Sequence, residues 1–106
     1  MACRDYNIDV YDAKLRIAND KKSAKLSEDD NDYPSCAIYA FSGKWCVILY
    51  LPTDSLRTAC HESVHGAMSL LDVLGLKPSF DEQEPVAWLA DYIFSRCMEF
   101  IERVKK

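Results

Sequence analysis

His61-Glu62-Ser63-Val64-His65 holds both histidines of the chain, and the reading of this stretch decides the rest. An HExxH run on a helix sets two imidazoles about 40° apart around the axis and about 6 Å apart along it, so both reach one metal ion. Zinc–nitrogen bonds of roughly 2.0–2.1 Å converge from such a pair, with the intervening carboxylate beside them. The expected cofactor is therefore Zn2+. A catalytic zinc also needs a third protein ligand and an open position for water, whose pKa it lowers toward about 7. In that arrangement Glu62 takes the proton from the water and passes it to the leaving amine. The motif thus predicts a hydrolytic zinc site, with His61 and His65 as ligands and Glu62 as the catalytic base.

The flanking residues predict the helix. Leu56, Ala59, Cys60, Val64, Ala67, Leu70, Leu71 and Leu74 recur at helical spacing and form a broad apolar stripe. His61 and His65 fall on its flank, about 100–140° from its centre, at the edge of a core and beside a cleft. Cys60 points about 100° away from His61, so it is not expected as a soft ligand. The bland alternative is an amphipathic helix with two surface histidines that bind nothing.

Size and charge set the limits. The chain has 106 residues, enough for one domain, 1–106, built on a single core. An apolar fraction of 49% and a charged fraction of 28% are those of a folded soluble protein. A net charge of −4 argues against a nucleic-acid-binding surface. No apolar run approaches the roughly 18 residues of a membrane span, and Met1-Ala2-Cys3-Arg4-Asp5 has no signal-peptide core, so a cytoplasmic protein, bacterial or in a host cell, is expected. Cys3, Cys36, Cys46, Cys60 and Cys97 form an odd set without a CxxC pair and read as free thiols.

Along the chain, Tyr6 to Tyr11 alternates apolar and polar residues and reads as a strand. From Asp12 to about Lys25, Leu15, Ile17, Ala18 and Leu26 suggest a short helix capped by the aspartate. Ser27 to Asp32 is an acidic turn-rich stretch without the EF-hand pattern, expected to be a solvated loop. Cys36–Phe41 and Trp45–Leu51, separated by Ser42-Gly43-Lys44, read as a hairpin. Thr53 or Asp54 caps the motif helix, which Gly75 ends. Leu76 to Phe80, with Pro78, is a linking loop. A second long helix opens at Pro85, carries a Val86, Leu89, Ile93, Cys97, Phe100, Val104 stripe, and ends in Arg103, Lys105 and Lys106. The expected fold class is α+β, a small antiparallel sheet packed on two helices.

Eighteen residues separate His65 from Glu84 (84 − 65 − 1 = 18), and Gln83-Glu84-Pro85-Val86-Ala87 then presents a carboxylate at a helix start. Here the chain resembles the gluzincin zinc metallopeptidases, in which the HExxH helix is followed by a glutamate ligand on the next helix. Its size and element order look most like the minimal members, ImmA/IrrE-like domains and small bacteriophage-encoded zincin-like proteins. The resemblance spans roughly Cys36 to Met98 and rests on three ligand positions and one base. It implies that His61, His65 and Glu84 hold the metal. Helix periodicity leaves Glu82 as an alternative, because Glu84 falls opposite the apolar stripe. Asp91 is a candidate second-layer carboxylate. The larger family members use a downstream His or Tyr on the oxyanion; this chain has no third histidine, and Tyr50, Tyr92 and Arg96 are the available donors.

Two functions compete. The resemblance implies a zinc-dependent peptidase whose peptide or protein substrate lies along the hairpin edge. The missing oxyanion histidine and small size suit instead a non-catalytic, zinc-stabilised protein that binds a host or partner protein.

Overall fold

A computed structural model describes residues 2–77 and 79–105, so the expectations for Met1, Pro78 and Lys106 lie outside the described residues. The fold is α+β, a four-stranded sheet and two long helices. Strand β1 (Cys3–Ile8) turns through one 3-10 turn, Asp9–Tyr11, into strand β2 (Ala13–Ala18). Asp12 closes this turn with φ 49°, a left-handed conformation that aspartate tolerates, and its N–H reaches Asp9 O at 3.1 Å. The first strand therefore stops three residues earlier than the alternation predicts.

The helix expected from Asp12 to Lys25 is instead β2 and a turn. Ala13, Leu15 and Ile17 are buried while Lys14 is exposed and Arg16 half-exposed, a period of two that decides for strand. Leu26 and Ala24 come from the following loop and cover the far face of the sheet with Ala18, Cys46, Ile48 and Tyr50. Lys21 ties that loop together. Its ammonium donates to Glu28 O at 3.2 Å and Asp30 O at 2.6 Å and pairs with Asp32 at 2.9 Å, so the acidic stretch is folded around a cation of the chain itself.

Strands β3 (Ser35–Phe41) and β4 (Lys44–Tyr50) form the expected hairpin. Its turn is the two residues Ser42 and Gly43, both with positive φ (51° and 81°), as a type I′ turn needs. The strand order is β1-β2-β4-β3, with β1/β2 and β3/β4 antiparallel but β2 parallel to β4. The sheet is thus mixed, correcting the antiparallel expectation; the strand hidden in Ala13–Ala18 supplies the parallel pair. Val47 and Leu49 on β4 are fully buried, since β4 has a strand on each side and helices above it.

Helix α1 (Leu56–Val73) begins at Ser55, whose Oγ accepts from Thr58 N at 3.2 Å, one residue past Asp54 and two past Thr53, the expected caps. Gly75, φ 75°, ends it in a Schellman arrangement, with Leu76 N to Leu71 O at 2.8 Å and Gly75 N to Asp72 O at 3.0 Å. Helix α2 (Glu84–Lys105) runs back beside it. Leu89, Ile93, Cys97, Phe100 and Ile101 are its buried face, while Val104, expected in the stripe, is 41% exposed. Leu15, Ile17, Leu49, Leu70, Leu71 and Ile93 close one core between sheet and helices.

Candidate metal centre

Gly66 sets how α1 sits. A Cβ placed there would come within 3.1 Å of Val47 Cγ1, 3.4 Å of Leu49 Cδ1 and 3.5 Å of Ile93 Cδ1, so the missing side chain lets the helix backbone approach both β4 and α2. The buried face is consequently Ala59, Glu62, Ser63, Gly66, Ala67, Leu70 and Leu71. Leu56, Cys60 and Val64, expected within the stripe, face solvent. The stripe is thus rotated from its expected phase, and His61 and His65 stand roughly 145–175° from its centre, facing outward.

The two histidines converge. Their Nε2 atoms are 3.1 Å apart, with ring centroids at 4.7 Å and an interplanar angle of 72°. Two nitrogens on one tetrahedral zinc stand about 3.3 Å apart, so the pair already has the separation of two zinc ligands. Both rings are exposed and open to an ion from solution.

Glu62 is placed differently from its neighbours. It is 8% exposed and, together with Pro34, Arg57, Thr58 and His61, lines a shallow depression of about 260 Å³ beside β3. Its charge acts on Cys36 of β3, whose thiol is pushed up to about 12 by burial first and then by Glu62 and Cys97. Cys97 rises to about 11 through burial, partly offset by its hydrogen bond with Ser63, whose Oγ is 3.6 Å from the sulfur. Ser63 Oγ donates to Ala59 O at 2.7 Å, which leaves its lone pairs facing the Cys97 thiol.

Glu84 does not join the histidines. The contacts of Ser63 with Cys97 and of the Gly66 position with Ile93 fix the register of the two helices. Glu84 precedes Ile93 by nine residues (93 − 84 = 9), about 13 Å farther along α2, and it is exposed on the side away from the core. Glu82, in the preceding loop, is exposed as well. Among the described residues, no three His, Cys, Asp or Glu side chains stand together as a metal-holding group. The residues present therefore fit two positions of a zinc site and leave the third without a protein ligand.

The oxyanion candidates also lie elsewhere. Tyr50 is buried on the far face of the sheet. Tyr92 donates its hydroxyl to Asn7 O at 2.6 Å, and Arg96 pairs with Glu99 at 3.2 Å. Asp91 is exposed on the outer side of α2. The cation that does border the depression is Arg57, which the sequence reading missed. Its signal was its position one turn before His61 on the same helix.

Comparison of the chain with protein-family models, with curated proteins and with solved structures gives no match.

Proposed function

We propose that this chain is a zinc protein of the HExxH type, with His61 and His65 as the protein ligands and hydrolysis of a peptide bond as its reaction. The 3.1 Å approach of the two Nε2 atoms carries this reading. His61 and His65 would hold the zinc ion, which would polarise a carbonyl and acidify a water. Glu62, buried beside His61 at the margin of the depression, takes the proton of the attacking water and delivers it to the amine. Arg57, on the same margin, is the donor for the developing oxyanion. The zincin-like assignment of the fold belongs to this proposal.

The position of Glu84 favours a second reading. With two protein ligands on an outward helix face, the metal serves as a surface staple of a binding protein without peptidase activity. The Glu62→Gln variant separates the two. A peptidase keeps its zinc and its fold but loses about 10²–10⁴-fold of hydrolysis, read as new protein termini in cells expressing the wild type. Wild type and Glu62→Gln with the same termini and the same phenotype leave only the binding protein. Among the described residues, no helix is long and apolar enough to cross a membrane.

A further inference from the structure

The outer side of α2 carries an ordered aromatic face that the histidine site does not use. Trp88 is 44% exposed, yet its indole stacks on Tyr92 (5.6 Å, 14°) and meets Tyr11 edge-on (6.4 Å, 68°). Tyr92 is in turn anchored through its hydroxyl to Asn7 O on β1. Beside Tyr11, Val10 at the β1–β2 turn is 70% exposed. An aromatic side chain held in one orientation while open to solvent has lost its rotamer freedom before any partner arrives.

The charges around Trp88 itself are mainly negative, the one cation of the cluster among the described residues being Arg96, whose guanidinium lies over the Tyr92 ring at 5.2 Å. Glu84 lies one turn before Trp88 and Asp91 one turn after it, and Asp9 precedes Val10. All three are exposed, and among the described residues none has an ion-pair partner. Arg96 covers Tyr92 and is itself paired with Glu99 at 3.2 Å, so it offsets none of the charge of Glu84, Asp91 or Asp9. A π face ringed by carboxylates attracts cations. It repels phosphates, which disfavours a nucleic acid, and a second copy pairing through this face would set acid against acid.

We propose that the Trp88 face, with Val10 and Tyr11, docks a basic, arginine- or lysine-bearing segment of a partner protein. Charge complementarity selects the occupant, and Glu84 and Asp91 are its ion-pairing groups. The assignment is independent of what the histidines bind.

The test uses the full chain and a fluorescein-labelled Arg-Ser repeat peptide, followed by anisotropy at low and physiological salt. Trp88→Ala and the double variant Glu84→Gln/Asp91→Asn each weaken binding by about tenfold. The control Glu28→Gln/Asp29→Asn, which removes the same charge from the 27–32 loop, leaves it within about twofold. The double variant keeps the aromatic packing, so it remains informative should Trp88→Ala unfold. Equal losses in control and site variants would reduce the effect to general attraction by an acidic protein and overturn the proposal. So would no saturable binding, tighter binding of a single-stranded oligodeoxynucleotide, or self-association abolished by Trp88→Ala.

Discussion

His65 Nε2 stands 3.1 Å from His61 Nε2 on the outward face of α1, close to the separation of two ligands on one zinc ion. A ligand that binds only the folded state raises stability by about 2.7 kcal/mol at a hundred times its dissociation constant. We expect added zinc to raise the melting temperature of the wild type and to leave His61→Ala and His65→Ala unmoved. Calorimetric scans with zinc, and with a chelator as reference, check this. An equal rise in all three proteins would assign the effect to other groups.

Glu84 begins α2, about 13 Å along the helix from the level of Gly66 and farther still from that of the two histidines. Glu84→Gln is therefore expected to leave zinc affinity within about twofold, since a removed ligand would cost far more. Titration against a competing chelator measures it. A loss of about tenfold or more would show that Glu84 reaches the metal in solution.

The α1 helix, the β3–β4 hairpin and the free cysteines were legible because each signal is local: a 3.6-residue period, a glycine at a tight turn, an odd thiol count. The strand Ala13–Ala18 was misread because Leu15, Ile17 and Ala18 satisfy a loose helical spacing as well as an alternating one, and alternation carries no information on strand direction. The phase of α1 escaped for a different reason. Gly66 adds nothing to an apolar count, yet its missing side chain is what turns Glu62 and Ser63 inward and leaves Val64 and Cys60 outside. The spacing of His61 and His65 within one helix fixes their convergence. The level of Glu84 relative to them depends on how two helices register, which residue counting does not determine.

Gly66→Ala tests that contact. Alanine gains about 1 kcal/mol over glycine in a helix interior. Against this, the new methyl meets Val47 Cγ1 at 3.1 Å, on a fully buried, β-branched residue of an inner strand with little freedom to turn. Overpacking of this kind costs about 1–3 kcal/mol, so we expect net destabilisation of about 1 kcal/mol in urea unfolding. A more stable variant would mean that α1 shifts freely over β4.

Thiol reactivity follows burial. Cys3 and Cys60 are exposed, whereas burial pushes the thiols of Cys36 to about 12, Cys97 to about 11 and Cys46 upward, keeping them neutral at pH 8. Ellman's reagent on the native protein should label Cys3 and Cys60 rapidly, the half-buried Cys36 slowly, and Cys46 and Cys97 only on unfolding. Replacing both exposed cysteines by serine should abolish the fast phase, and mass spectrometry of the trapped adducts identifies the sites. Rapid labelling of Cys36 would contradict its packing beside Glu62.

Asp5 on β1 and Arg16 on β2 face each other across the ladder, with Arg16 Nε donating to Oδ1 at 2.8 Å and its terminal nitrogen to Oδ2 at 3.1 Å. This fork holds the Asp5 carboxyl below its ordinary value, and the same bond pushes the Arg16 guanidinium up, so the arginine stays charged throughout. A carboxylate with a lowered folded pKa stabilises the protein above the unfolded value of about 3.9 and loses that contribution as pH falls through the folded one. The wild type should therefore lose stability below about pH 4 more steeply than Asp5→Asn, while the two curves run parallel from about pH 5 to 7. Asp20, lowered by the backbone N–H of Ser23, titrates in both proteins and leaves a residual acid slope in each. Because Asp5 is 54% exposed, added salt should shrink the difference between the curves. Urea midpoints measured across this range decide the matter: acid limbs of equal slope would show that the fork contributes nothing to folding.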